Sequence, residues 1–190
     1  VARWQEGAAG RLAEAAMRLY VERGYEQTTV ADIASEAGLT ARTFFRHFAD
    51  KREVLFAGSE FLRDAVVKSL AGVPATAEPM QAVAVALDAT AELLGRDHRH
   101  SRLRQSVIMA TAELRERELI KMATMAALMA EGLRERGVPA RDAALAAESG
   151  AVVLRVAFEQ WVEGPADADL RAVMRDTLAR LTAVTGAGFS

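Results

Sequence analysis

Between Thr29 and Lys51 the chain reads as two short amphipathic helices with almost nothing between them, and few folds accept that pattern. The first runs from about Val30 to Ala37, with Thr29 able to cap it, Asp32 in its first turn, and Ile33 and Ala34 facing inward. Gly38 ends it, because glycine accepts positive φ without a Cβ clash. Leu39 crosses a tight turn, and Thr40 can cap a third helix, Ala41 to Phe48. Phe44 and Phe48, spaced i to i+4, share one face and are expected to pack with Val30, Ile33, Ala37 and Leu55. The opposite face presents Thr40, Ala41, Arg42, Thr43 and Arg46, which are small, polar or cationic. Two short helices about a glycine turn are the layout of a helix-turn-helix, whose second helix enters the major groove of DNA.

The flanks extend the pattern. A first helix fits Gly10 to Arg23, with Leu12, Ala15, Ala16, Leu19 and Tyr20 as its apolar stripe and Gly24 at its C-cap. Asp50 can cap a fourth helix, expected to run unbroken from Lys51 to about Leu70. Gly72-Val73-Pro74 to Pro79 is the clearest break. Beyond it, helices are expected at Met80–Leu94, His98–Thr111, Glu113–Arg136, Arg141–Glu163 and Asp169–Val184. The chain should therefore be all-α: a helix-turn-helix domain over residues 8–56, a fourth helix reaching about residue 70 as connector, and a larger helical domain over 75–186.

Composition narrows the function classes. Apolar residues make up 51% of the 190, enough for a real core. The formal net charge of −2 argues against a generic polyanion binder, so any basic surface must be local. Without cysteine there are no disulfides, thiolate metal sites or cysteine nucleophile, which is compatible with a cytoplasmic protein. No apolar run approaches the roughly 18 residues of a membrane span. Val1 to Gly7 do not read as a signal peptide, and a start at Val1 rather than Met leaves open whether residues precede it. His98 and His100, at i and i+2, do not share a helix face, so no metal site is expected there, and no cofactor. Paired Glu-x-x-His ligands and Ser/His/Asp arrangements are absent, so an all-α enzyme is the weaker reading.

Thr29-Val-Ala-Asp-Ile-Ala-Ser-Glu-Ala-Gly-Leu-Thr40 and Ala41-Arg-Thr-Phe-Phe-Arg-His-Phe-Ala-Asp-Lys51 closely resemble the TetR family of bacterial transcriptional regulators. The resemblance implies a two-domain subunit of about nine helices, a homodimer formed through the last two long helices, and repression relieved by a small molecule. By the same resemblance Thr40, Ala41, Arg42 and Thr43 look into the major groove, while Thr28 or Thr29, Phe45, Arg46, His47 and Lys51 match phosphate-facing positions. The chemistry agrees independently: Arg42 can pair with guanine O6 and N7, and Thr43 can touch a thymine methyl. Where many relatives have Tyr, this chain has Phe45, without the hydroxyl.

The C-terminal part offers alternatives. Met109, Met122, Met125 and Met129 are either core filler or, with Phe158, the wall of a pocket for a hydrophobic effector. On the Arg141–Glu163 helix, Ala147, Ala151, Leu154, Phe158 and Trp161 line one side, and Leu145, Val152, Val153 and Val156 another. The second side is expected to meet a partner subunit, with Gly150 permitting close approach. The dimer surface is thus expected to hold Val152, Val153, Val156 and Trp161, with Val173, Leu178 and Leu181 from the last helix. Arg155 needs a carboxylate, and Glu148 and Glu159 are candidates. Expected partners are an operator duplex, a second copy of the chain and a small effector. Activation in place of repression is not separable by sequence.

Overall fold

A computed structural model describes residues 7–186. The opening segment read above as unlike a signal peptide lies outside them, apart from Gly7. Among the described residues there are nine α-helices, one 3-10 turn and no strand: α1 Ala8–Arg23, α2 Val30–Glu36, α3 Ala41–His47, the turn Glu53–Phe56, α4 Ser59–Ala71, α5 Pro79–Leu94, α6 His98–Ala110, α7 Ala112–Glu135, α8 Ala140–Glu163 and α9 Leu170–Gly186. None is long and apolar enough to cross a membrane.

The chain forms two compact units. The first contains residues up to 59 together with 103–118, so it is wider than the expected domain of residues 8–56. Leu12, Leu19, Tyr20, Ile33, Phe44 and Leu55 build its core, and Ile108 and Leu114 from the 103–118 segment are fully enclosed in that same cluster. Ionic contacts reinforce the join. Arg104 donates to the Leu55 carbonyl at 2.8 Å and to the Glu118 carboxylate at 2.9 Å, with its guanidinium over the Phe56 ring. Arg117 reaches Glu53 at 2.6 Å, and Arg52 reaches Glu113 at 3.0 Å.

The expected continuous fourth helix is interrupted. Asp50 does cap, accepting from the amides of Arg52 and Glu53, but it caps only the 3-10 turn. Ala57 is then extended and Gly58 sits at φ +91°, in left-handed territory, so α4 starts afresh at Ser59. Residues 60–102 and 119–186 make the second unit, where α5, α8 and α9 pack on one another. Its core includes Val83, Leu87, Met129, Leu133, Leu154, Trp161 and Met174.

Gly150 has a different use from the one expected. A Cβ there would lie 2.6 Å from Val83 Cγ1 and 3.4 Å from Met129 Sδ, so the close approach is inside the subunit, of α8 to α5 and α7. Val153 and Trp161, expected on the partner-facing side, are also internal at 1% exposure each. The Trp161 indole donates to the Ala168 carbonyl at 2.8 Å, and its ring takes the His98 imidazole edge-on at 4.7 Å. Leu145, Val152 and Val156 remain exposed on α8. Val173, Leu178 and Leu181 on α9 are partly buried against the core. Arg155 is half-exposed and pairs with Glu159 at 3.5 Å, one helical turn on.

Candidate nucleic-acid interface

Local chemistry places α3. Thr40 opens it in extended conformation, its hydroxyl accepting from the Thr43 amide at 3.2 Å and lying 3.1 Å from the Thr43 hydroxyl. Gly38, at φ +66°, makes the turn before it, with the Leu39 amide donating back to the Ala34 carbonyl at 2.8 Å. Phe44 is fully buried and Phe48 nearly so, their rings 5.6 Å apart. These two aromatics fasten the helix from beneath. The other face stands clear: Ala41, Arg42, Phe45, Arg46 and His47 are exposed. Neither Arg42 nor Arg46 has an ion-pair partner among the described residues, whereas Arg18, Arg52, Arg104 and Arg117 of the same unit are all paired. Two unpaired guanidiniums beside His47 give α3 a cationic outer face in a chain of slight negative charge, which suits it to a polyanion.

The remaining predicted phosphate-facing residues are used differently. Thr28 is buried, and its hydroxyl donates to the Gly24 carbonyl at 2.8 Å. Its side chain is therefore committed to the loop rather than to solvent. Thr29 forms a reciprocal cap on α2: its amide and hydroxyl donate to Asp32 Oδ2 at 2.9 and 2.5 Å, and its hydroxyl accepts from the Asp32 amide. The Thr29 donors hold the Asp32 carboxyl below the usual range, the side-chain bond contributing most. A phosphate at Thr29 would have to displace that carboxylate.

Lys51 turns inward. Its ammonium donates to the Tyr25 carbonyl at 2.9 Å and the Thr28 carbonyl at 3.1 Å, and lies 4.1 Å from the centre of the Tyr25 ring. Tyr20 donates to the Lys51 carbonyl at 2.6 Å. Burial pushes both tyrosine hydroxyls well above their ordinary range, with charge repulsion from Tyr25 on Tyr20 and from Glu113 on Tyr25 adding to it, so both stay protonated donors. Sequence reasoning had no means of seeing this latch. Tyr20, Tyr25 and Lys51 are separated along the chain, and their spacing carries no signal.

Of the methionines proposed as pocket wall, Met125 and Met129 are buried in the second unit's core and Met122 packs at its edge with Phe158. Met109 is not with them: it belongs to the first unit and is 52% exposed. A depression of about 120 Å³ lies between α5 and α9, lined by Ala84, Val85, Leu87, Asp88, Met174, Arg175 and Leu178. That is below the several hundred Å³ of an ordinary small-molecule site. No group of His, Cys, Asp or Glu among the described residues could hold a metal ion.

A trihelical core presenting a short cationic helix across a glycine turn defines a DNA-binding helix-turn-helix. Residues 12–57 match the family model described as bacterial regulatory proteins, tetR family. That match spans the helix-turn-helix segment, and it is this segment that is similar to the tetR family. It is 40% identical over 86 residues to the HTH-type transcriptional regulator TcmR of Streptomyces glaucescens, a match covering 45% of this chain and 37% of that protein's length. The chain thus spans well under half of that relative. In fold it is similar to the fatty acid degradation regulator FadR of Bacillus halodurans, with TM-score 0.64 and 18% identity over 95% of this chain and 96% of that one. It is also similar to Thermus thermophilus FadR, a TetR-family repressor solved with lauroyl-CoA, with TM-score 0.59 and 25% identity over 96% of both chains.

Proposed function

We propose that this protein is a sequence-specific transcriptional regulator, working in the cytoplasm as a homodimer that represses from a palindromic operator and leaves it when a small apolar effector binds. The observation that carries this reading is the exposed, unpaired cationic face of α3 above an aromatic anchor. Arg42 reads guanine through its paired N–H donors, while Thr40, Ala41 and Thr43 offer methyl groups to neighbouring base edges. Arg46 and His47 hold phosphates. Lys51 and Thr28 shape the loop ahead of α2, and so act on DNA through position rather than contact.

The second copy meets the exposed Leu145, Val152 and Val156 of α8, with support from Leu178 and Leu181 of α9. Two copies of α3 about one turn of duplex, roughly 34 Å, apart require an inverted repeat. The effector enters among Met122, Met125, Met129 and Phe158, where unbranched thioether side chains yield more easily than branched ones. The lauroyl-CoA bound to the Thermus thermophilus relative supports a ligand with an apolar chain. Repeated selection from random duplexes tests the function as a whole: enrichment of an inverted repeat is expected, and recovery of unrelated sequences contradicts it.

A further inference from the structure

Helices α5 and α9 meet along a seam held by two ion pairs one helical turn apart. Arg175 donates to both oxygens of Asp88, at 3.1 and 2.5 Å, and Arg171 reaches Glu92 at 3.2 Å. On the Asp88 side lies the depression of about 120 Å³, walled by Val85, Leu87, Met174 and Leu178. Its rim is apolar where Val85 stands 43% exposed. One turn further along α5 a wider hollow of about 430 Å³ opens, where Ala91 and Gly95 face Arg96, Arg171, Glu92 and Asp169. Glycine is needed at its floor: a Cβ on Gly95 would lie 2.8 Å from the Ala91 carbonyl oxygen and 3.3 Å from Leu170 Cβ. Both hollows belong to the second unit.

The charges in the wider hollow are not equivalent. Asp169 accepts from the Arg171 amide at 3.0 Å and so caps the start of α9. Glu92 faces two guanidiniums, Arg171 at 3.2 Å and Arg96 at 3.9 Å. Each guanidinium carries five N–H donors, and one carboxylate satisfies only part of two such sets. Donors of Arg96 and Arg171 therefore remain for a further oxyanion, whereas a cation would have to take Glu92 from both. Asp88 and Glu92 are four residues apart, about 6 Å along α5, so one short molecule can reach both hollows. We infer that the α5–α9 seam is a second ligand site, which takes a small amphiphilic anion. Its carboxylate or phosphate head sits on Arg96 and Arg171, and its short aliphatic tail lies against Val85, Met174 and Leu178. This site is separate from the methionine site proposed for the effector, and it does not depend on the DNA-binding reading.

The test is a titration of the full-length protein, with isotope-labelled methionine methyl groups, against hexanoate, hexyl phosphate, 1-hexanol and acetate. Met174 lines the seam, while Met125 and Met129 lie in the proposed effector site, so the resonance that shifts reports which site fills. Hexanoate, hexyl phosphate or both should move Met174, and their ranking identifies the head. Hexanol and acetate should bind about tenfold more weakly, since each lacks one half of the match. Glu92→Gln releases both guanidiniums from their internal partner and should tighten binding about twofold to fivefold; Arg171→Gln should weaken it by a similar factor. Val85→Trp fills the apolar hollow and should remove the advantage of hexanoate over acetate. All three side chains reach solvent, so the variants should melt near the parent. The inference fails if neither anion shifts Met174, if Met125 and Met129 shift without it, if hexanol binds as well as hexanoate, or if the variants keep the parent's affinities. Leu178 is also part of the proposed subunit contact, so an equal Met174 shift on dilution without ligand would assign the seam to the dimer and overturn it too.

Discussion

Replacing Lys51 with methionine separates two uses of one charge: a grip on DNA or a latch inside the domain. Methionine keeps most of the apolar stem and deletes the ammonium. The ammonium makes two charge-assisted hydrogen bonds, at 2.9 and 3.1 Å, and sits 4.1 Å from the Tyr25 ring centre. Hydrogen bonds to a charged group contribute about 1.5–3 kcal/mol each, and a partly desolvated cation–π contact about 0.5–2 kcal/mol. These share one ammonium and do not add in full, so about 2–4 kcal/mol is the expected loss from the first unit. Hydrogen exchange should show faster opening of α2 and the Gly24–Thr29 loop, by roughly thirtyfold or more. The salt dependence of operator binding should keep its slope, because no phosphate contact is removed. A slope reduced by about one per subunit with unchanged exchange would refute the latch and make Lys51 a phosphate ligand.

Other perturbations test neighbouring parts of the account. Arg52 is the main cause holding the Asp50 carboxyl below the usual range, aided by the Glu53 and Arg52 amides and opposed by burial. Its folded value lies beneath the unfolded one, so its contribution is full above about pH 4–5 and is lost as pH falls through the folded value; Asp50→Asn should flatten the acid limb of stability, measured by denaturant unfolding between about pH 3 and 6. An unchanged limb would contradict that linkage. Gly150→Ala forces a methyl to 2.6 Å from Val83 Cγ1, and should cost about 1–3 kcal/mol of stability and lower the melting temperature. A neutral result would mean that α8 and α5 are not so closely packed. Ile108→Ala removes a fully buried side chain from the first unit's core, and about 2–5 kcal/mol of destabilisation should appear as faster exchange in α1 as well as α6. Exchange unchanged in α1 would show that 103–118 is not part of that core.

The parts legible in the sequence are those governed by neighbours along the chain. Thr29 and Thr40 cap by bonding three residues ahead, Gly38 turns through its own φ, and Phe44 and Phe48 share a face because i and i+4 do. The helix bounds after Pro79 followed from Gly and Pro punctuation for the same reason. What escaped was set by distant partners. Nothing near Lys51 announces Tyr25, and nothing near Ile108 announces that it completes a core begun at Leu12. Gly150 and Trp161 mark a two-sided apolar helix, but periodicity cannot say whether the second side meets a partner or another helix of the same subunit. The fourth helix failed at Gly58, a single glycine that helical pattern alone tolerates.

The central claim is that α3 reads sequence, and the base-by-base preference of Arg42→Ala tests it most directly. Compared with the parent on single-base variants of the selected operator, R42A should lose about 1–3 kcal/mol of specific binding and become indifferent at one base pair in each half-site, with preferences elsewhere intact. An equal loss on every duplex, with all base preferences retained, would contradict it and reduce α3 to a backbone contact.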